Sequence, residues 1–398
     1  MICCNHTNTS LYFSSVEEIS DTIWEQLGCT KEVYFSKKYL SALAENNPQI
    51  TFAYLVLVDE NKLPTAFATL QVVDFFLDSV RNDLELAVRR IKNIGRKLGV
   101  IPDKKPFKLL TCGNTFVSGE HGIFIKENQD KKKVVKELAK AILHFVSSNA
   151  VLNKEINAFM LKDFIKESLF ITDELHDYNY SSFNVEPNMV LNLDKNWSSF
   201  DDYLAAMKTK FRVKAKKALK VSSDIKIEEV TTKNIPALLP KMTELYKKVS
   251  ANAGFNLGDF NLETYKTLKE NLGDAYILRA YSIDNKLVGF LSGMINQHTL
   301  DAHFVGIDYS KNREYAIYQR MLYDYIQIAL DNKLSTINFG RTASDIKSSV
   351  GAIPQDLTIY LRHKNSIPNR LLSIFLKRIE PTPFHQKHPF KTEKVTLS

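Results

Sequence analysis

The stretch from Trp197 to Lys220, WSSFDDYLAAMKTKFRVKAKKALK, limits what this chain can fold into more than any other. Ser198 and Ser199 are residue types that cap a helix, and Asp201 and Asp202 follow where negative charge suits the helix dipole. Phe200, Tyr203, Leu204, Met207, Phe211, Ala215, Ala218 and Leu219 recur at steps of three and four, which predicts one continuous helix with a single buried stripe. The other face carries Lys208, Lys210, Arg212, Lys214, Lys216, Lys217 and Lys220, with no acid among them. The rest of the chain must supply a core for one side and leave a dense cationic row on the other.

Two readings of that row compete. One is a solvated face of long side chains. The other is a docking surface for phosphates, of a nucleotide cofactor or of RNA. Seven unopposed charges within thirteen residues repel one another, each like-charge pair four apart costing roughly a few tenths of a kcal/mol. An anionic partner would relieve that cost.

Composition narrows the class. The chain has 398 residues, 44% of them hydrophobic and 25% charged, enough for two globular domains with cores of their own. The net charge of +8 is close to the excess on the basic stretch alone, so the positive balance is local. Cys3, Cys4, Cys29 and Cys112 form no metal-ligand or redox spacing and fit a reducing cytosol. The start, MICCNHTNTS, lacks the charge and apolar run of a signal peptide, and no stretch reaches the ~20 apolar residues of a membrane span. The expectation is a cytoplasmic protein without metal.

Along the chain, helices are predicted from about Val16 to Asn46. A hairpin of Thr51–Val58 and Ala66–Val73 follows, then a helix over Leu77–Leu98 with a basic end, read as packed, with peripheral membrane contact the alternative. The strand Phe107–Thr111 leads into a loop, CGNTFVSGEHG, where Glu120 and His121 sit among glycines and make a site candidate, with an ordinary turn histidine as the plainer reading. A helix over Lys131–Val146 and a strand over Ile156–Leu161 complete the first half. A polar stretch ending at Pro187 marks the boundary, giving domains 1–185 and 186–380 and a loose tail, 381–398. The second half then runs strand (Ile225–Val230), two helices, three strands (Ala275–Ser282, Lys286–Ile295, Leu300–Ile307), a helix (Tyr315–Leu330), a strand (Ser335–Phe339) and a last strand (Leu357–Arg362), with a closing helix over Ser366–Ile379.

This element order resembles the GNAT (N-acetyltransferase) fold, in both halves. Trp197-Ser198-Ser199-Phe200-Asp201-Asp202-Tyr203-Leu204 with Lys210-Phe211-Arg212 is similar to the start of the FemAB-like acyltransferases, tandem GNAT proteins of bacteria. Phe339-Gly340-Arg341-Thr342, then Lys347 and Gly351-Ala352, resembles their second segment, and with Glu186-Pro187-Asn188-Met189 the similarity spans roughly Glu186 to His363. The resemblance implies an α/β architecture of two tandem GNAT domains, each a mixed, mostly antiparallel sheet flanked by helices. It also implies acyl transfer to an amine, with acyl-CoA as the first-choice co-substrate and, as the alternative, an aminoacyl-tRNA donor with a peptidoglycan precursor as acceptor. One departure matters. GNAT domains that bind acetyl-CoA carry a glycine loop whose N–H groups hold the pyrophosphate, whereas here the corresponding segment, Tyr309–Ala316, has no glycine and offers Lys311 and Arg313 instead.

The chemistry needs a deprotonated amine, an oxyanion donor and a proton for the leaving group. Asp301 and His303, two apart on a predicted strand, share a face; a carboxylate there would raise the imidazole pKa and tune a base, unless both simply line a wet side. Gly340 lets the chain turn at a strand end, and Arg341 and Lys347 are placed to grip an anionic part of donor or acceptor, helped by Lys210, Arg212 and Lys214. The expected partners are a small amine or a cell-envelope precursor, and tRNA. A catalytically idle scaffold that only binds such a ligand is the remaining alternative.

Overall fold

The computed structural model describes residues 9–75, 106–252, 257–379 and 381–391. The helix predicted over Leu77–Leu98, the amino-terminal reading and Cys3 and Cys4 lie outside them. Cys29 and Cys112 are buried free thiols.

Alternation and buried runs produce fifteen strands among the described residues: β1 Ser10–Phe13, β2 Thr51–Val58, β3 Pro64–Phe75, β4 Phe107–Cys112, β5 Ile123–Ile125, β6 Ala158–Phe164, β7 Ser181–Asn184, β8 Asn188–Asn192, β9 Lys226–Glu229, β10 Tyr276–Ile283, β11 Lys286–Asn296, β12 Thr299–Ile307, β13 Thr336–Asn338, β14 Ile353–Gln355 and β15 Thr358–His363. They form two sheets. The chain divides into two compact units, Met1–Glu186 with Ala253–Thr264 and Asp356–Pro381, and Pro187–Asn252 with Tyr265–Gln355 and Thr382–Ser398.

The first sheet runs β1-β2-β3-β4-β6-β15-β7, and β5 adds to β3. All pairs are antiparallel except β4 with β6. The helix Lys131–Ser147 covers it, burying Val134, Leu138, Ile142 and Phe145 at helical spacing. The second sheet runs β14-β8-β13-β12-β11-β10-β9, parallel only between β12 and β13. The β10–β11 turn places Asp284 and Asn285 at φ 46° and 60°, the paired left-handed residues that a tight hairpin requires.

The two sheets have matching orders, and the match exposes one correction. The strand predicted over Leu357–Arg362 was assigned to the second domain, yet β15 lies in the first sheet between β6 and β7. The corresponding slot of the second sheet, between β13 and β14, holds β8. The final strands of the two halves are thus exchanged. A strand pattern states that a segment pairs, not with which edge.

The helix predicted as continuous from Trp197 is two helices, Phe200–Ala206 and Thr209–Val221. Ser199 caps the first by a reciprocal box with Asp202. The helix stops because Met207 turns extended and bridges Phe390, while Lys208 N–H donates to Pro389 O at 2.8 Å and Lys391 N–H to Ala206 O at 3.0 Å. The tail expected to be loose therefore supplies, at Pro389–Lys391, the backbone partners that a continuous helix would have provided itself. Phe390 also packs on Trp197 and Tyr203, with ring centres 5.0 and 5.8 Å apart.

Candidate active site

The second unit opens where β12 and β13 part. Their parallel pairing ends with Asp301 opposite Asn338, whose side-chain amide donates to Asp301 Oδ1 at 2.9 Å. Across β12, the ladder with β11 jumps from Leu291–Val305 to Gly293–Ala302, so His303 and Phe304 together face Ser292. This is a β-bulge, the device that re-aims side chains at a strand's edge. Ser292 organises it: Oγ accepts the Phe304 N–H at 3.0 Å and donates to Phe304 O at 2.9 Å, and His303 Nδ1 lies 3.4 Å away. Tyr325 OH donates to Ser292 O at 2.7 Å from beneath. Nothing in the bare order LSGM announced these roles, beyond a lone hydroxyl in an otherwise apolar strand.

His303 departs from expectation. Burial dominates and pulls its pKa down to about 3, the opposite direction from the rise expected beside a carboxylate. The imidazole is neutral at physiological pH and a weak base.

The turn after β13 behaves as its glycine suggests. Gly340 takes φ 72°, and Thr342 and Ala343 follow at 66° and 50°, a run that β-carbons resist and the surroundings must enforce. Lys347 does the enforcing. Only 4% exposed, its Nζ donates to Gly340 O at 3.2 Å and Arg341 O at 2.6 Å. It holds the turn by its carbonyls, so the expected direct grip on an anion is not the role its side chain takes. Burial brings its pKa down to about 7. Arg341 is half-buried.

On the basic helix, Lys210, Lys214, Lys216, Lys217 and Lys220 are exposed and Arg212 is half-buried, leaning back on Met207 O. Ala215 and Ala218 face the core. The helix packs against Phe200–Ala206 and against two helices from later in the chain, Tyr309–Tyr315 and Ile317–Asp331. Tyr309–Tyr315 is the segment that replaces the glycine loop, and it is helical rather than open. Asp308 caps it, accepting from Ser310 N–H at 3.0 Å. Ala316 then reverses the chain at φ 49°. Asn312 Oδ1 accepts the Tyr318 N–H at 2.9 Å, so a first-turn donor of the helix Ile317–Asp331 is already taken.

The first unit differs at the comparable place. β3 pairs with β4 up to Leu70–Cys112 and resumes with β5 at Ala68–Ile123, so residues 113–122 form a ten-residue excursion opposite Thr69. Thr69 N–H donates to Gly122 O at 2.9 Å and its carbonyl accepts from Gly113 N–H. From β6, Lys162 Nζ pairs with Asp163 at 2.5 Å and donates to the carbonyls of Asn114 and Val117 in the excursion. Glu120, its pKa raised by burial, accepts from Ile165 N–H at 2.9 Å, and His121 lies on Tyr34 with ring centres 3.9 Å apart. The loop flagged by Glu120 and His121 is thus tied into its own unit.

Among the described residues no group of three or more metal-ligating side chains is placed to hold a metal, and no helix is long and apolar enough to cross a membrane.

No family model and no curated protein matches the sequence. Solved structures do match the fold. FemX aligns over 89% of this chain and 99% of its own, at 12% identity and a TM-score of 0.57. A tandem GNAT protein from the clavulanic acid biosynthesis pathway aligns over 90% and 99%, at 7% identity and a TM-score of 0.53. The chain therefore has the tandem GNAT fold, in the form seen in FemAB-like proteins.

Proposed function

We propose that the chain is an N-acyltransferase whose reaction centre is the β12–β13 opening of the second unit. Beyond Asp301, β12 has no strand partner on its β13 side among the described residues. An oxyanion forms when an amine attacks an acyl ester or thioester, and this end of the parallel pair is where we place it. The C–N bond forms, the C–O or C–S bond breaks, and the proton lost by the amine returns to the leaving group. Lys347 shapes this region by holding the Gly340–Arg341 turn through its carbonyls, while His303 is too weak a base to take the amine proton. Asp301 and Asn338 fix the end of the parallel pair. The first unit supports this assignment by contrast, because residues 113–122 fill the equivalent position.

The observation that carries the reading is the bulge at His303–Phe304 beside the parting parallel strands. For the donor, acyl-CoA and aminoacyl-tRNA both meet the chemical need. Capping of Tyr318 N–H by Asn312 favours the second, since the helix start that would cradle a pyrophosphate is occupied. A cationic helix packed beside it suits an extended phosphate backbone. An amine of a cell-envelope precursor is the acceptor class that we favour.

The test is donor consumption by the purified chain, with acyl-CoAs and aminoacyl-tRNAs supplied in parallel with amine acceptors, and tRNA retardation followed on gels. Turnover of either donor, lost in Lys347→Met, supports transfer. A chain that binds tRNA or precursor yet consumes no donor would be a binding scaffold.

A further inference from the structure

We propose that the first unit holds an anion pocket for a phosphate-bearing small molecule, at the carboxyl-terminal end of the helix Lys131–Ser147. A cavity of about 420 Å³ opens there, within the range of small-ligand sites. Lys140, His144 and Ser147 line it from one helix face, as their spacing of four and three requires. Arg362 and Lys364 line it from β15 and the residues that follow, and Phe159, opposite Arg362 in the β6–β15 ladder, supplies an apolar floor.

The charged side chains of the lining are all basic, Lys140, Arg362 and Lys364, set among the apolar Leu143, Val146 and Phe159, with no carboxylate. The nearby acids are engaged elsewhere: Glu137 with Lys133, Glu155 with Lys108, and Glu174 with Lys132 and Lys136. Lys364 Nζ donates to Asn153 O, which fixes its ammonium at the rim. Arg362 Nε is buried with no hydrogen-bond partner. An orphaned guanidinium donor is costly, and an acceptor on a bound ligand would satisfy it. The helix end opposes an anion with about half a negative charge, but Ser148 N–H and Ser147 Oγ already engage its last-turn carbonyls. Three permanent cations outweigh the remainder. Arg with two lysines is a donor set for a tetrahedral, multiply charged oxyanion, and the volume leaves room for a small organic part.

The test uses the full chain with Lys210→Gln and Lys214→Gln already in place, so that the basic helix does not compete for the probe. Inorganic pyrophosphate is titrated by calorimetry, with Arg362→Gln and the surface variant Lys140→Gln compared. We expect saturable binding that Arg362→Gln weakens at least tenfold and Lys140→Gln several-fold, with Arg362→Lys intermediate. Absence of saturable binding, or equal affinity in the Arg362 and Lys140 variants, overturns the assignment. Neither outcome depends on whether the second unit transfers acyl groups.

Discussion

Lys347 Nζ donates to the carbonyl of Arg341 at 2.6 Å, so the side chain expected to hold a ligand instead holds the backbone of its neighbour. Along with the bond to Gly340 O, this uses both N–H donors of a neutral amine. The three left-handed residues at 340, 342 and 343 are what that clamp maintains.

A pH dependence follows. The folded pKa of Lys347 is about 7, against an ordinary 10.5. Between those values the amine is protonated in the unfolded chain and not in the folded one, so unfolding takes up a proton and stability rises with pH. Below about pH 7 the folded chain must carry the buried charge, and the penalty is complete. Melting temperatures of wild type and Lys347→Met, taken from pH 6 to 10, should diverge in favour of wild type as pH rises. A constant difference would show that the amine does not titrate there.

Ser292 supports the bulge through one hydroxyl serving both the N–H and the C=O of Phe304. Ser292→Ala leaves those groups without their partner in a buried place, at a cost of about 1–3 kcal/mol. Chemical denaturation should register that loss, and donor turnover should fall further than stability alone explains.

Ala316 occupies a left-handed conformation with φ 49°. Ala316→Gly should stabilise the chain by about 1 kcal/mol, because the β-carbon penalty there exceeds the entropic cost of glycine. Asn312→Ala should remove about 1 kcal/mol by freeing Tyr318 N–H. It should also improve binding of CoA if a pyrophosphate has only been excluded by that cap; unchanged CoA affinity would mean that the cap is not what keeps it out.

Lys210 and Lys214 are exposed, so Lys210→Gln with Lys214→Gln should leave stability within about 0.5 kcal/mol per site. If the helix contacts an RNA backbone, the slope of log affinity for tRNA against log salt should fall by roughly 0.7–0.9 for each phosphate contact removed. An unaltered slope would return the cationic row to the solvated-face reading.

Much of the fold was legible in the chain itself. The strands of the second half, the Asp284–Asn285 turn and the buried stripe of the basic helix followed from periodicity and turn chemistry, which act between residues close in sequence. Short strands with few apolar residues, such as Ser181–Asn184 and Ile353–Gln355, were not legible, because their pairing depends on distant partners.

The sequence by itself determined which segments are apolar on one side and where charge must remain exposed, since both are properties of local order. Only the tertiary structure decided that β8 and β15 take each other's place, that Phe390 interrupts a helix nearly two hundred residues before it, and that Lys347 turns inward. Each of these is a choice among partners far apart along the chain, and close packing makes that choice, not local propensity.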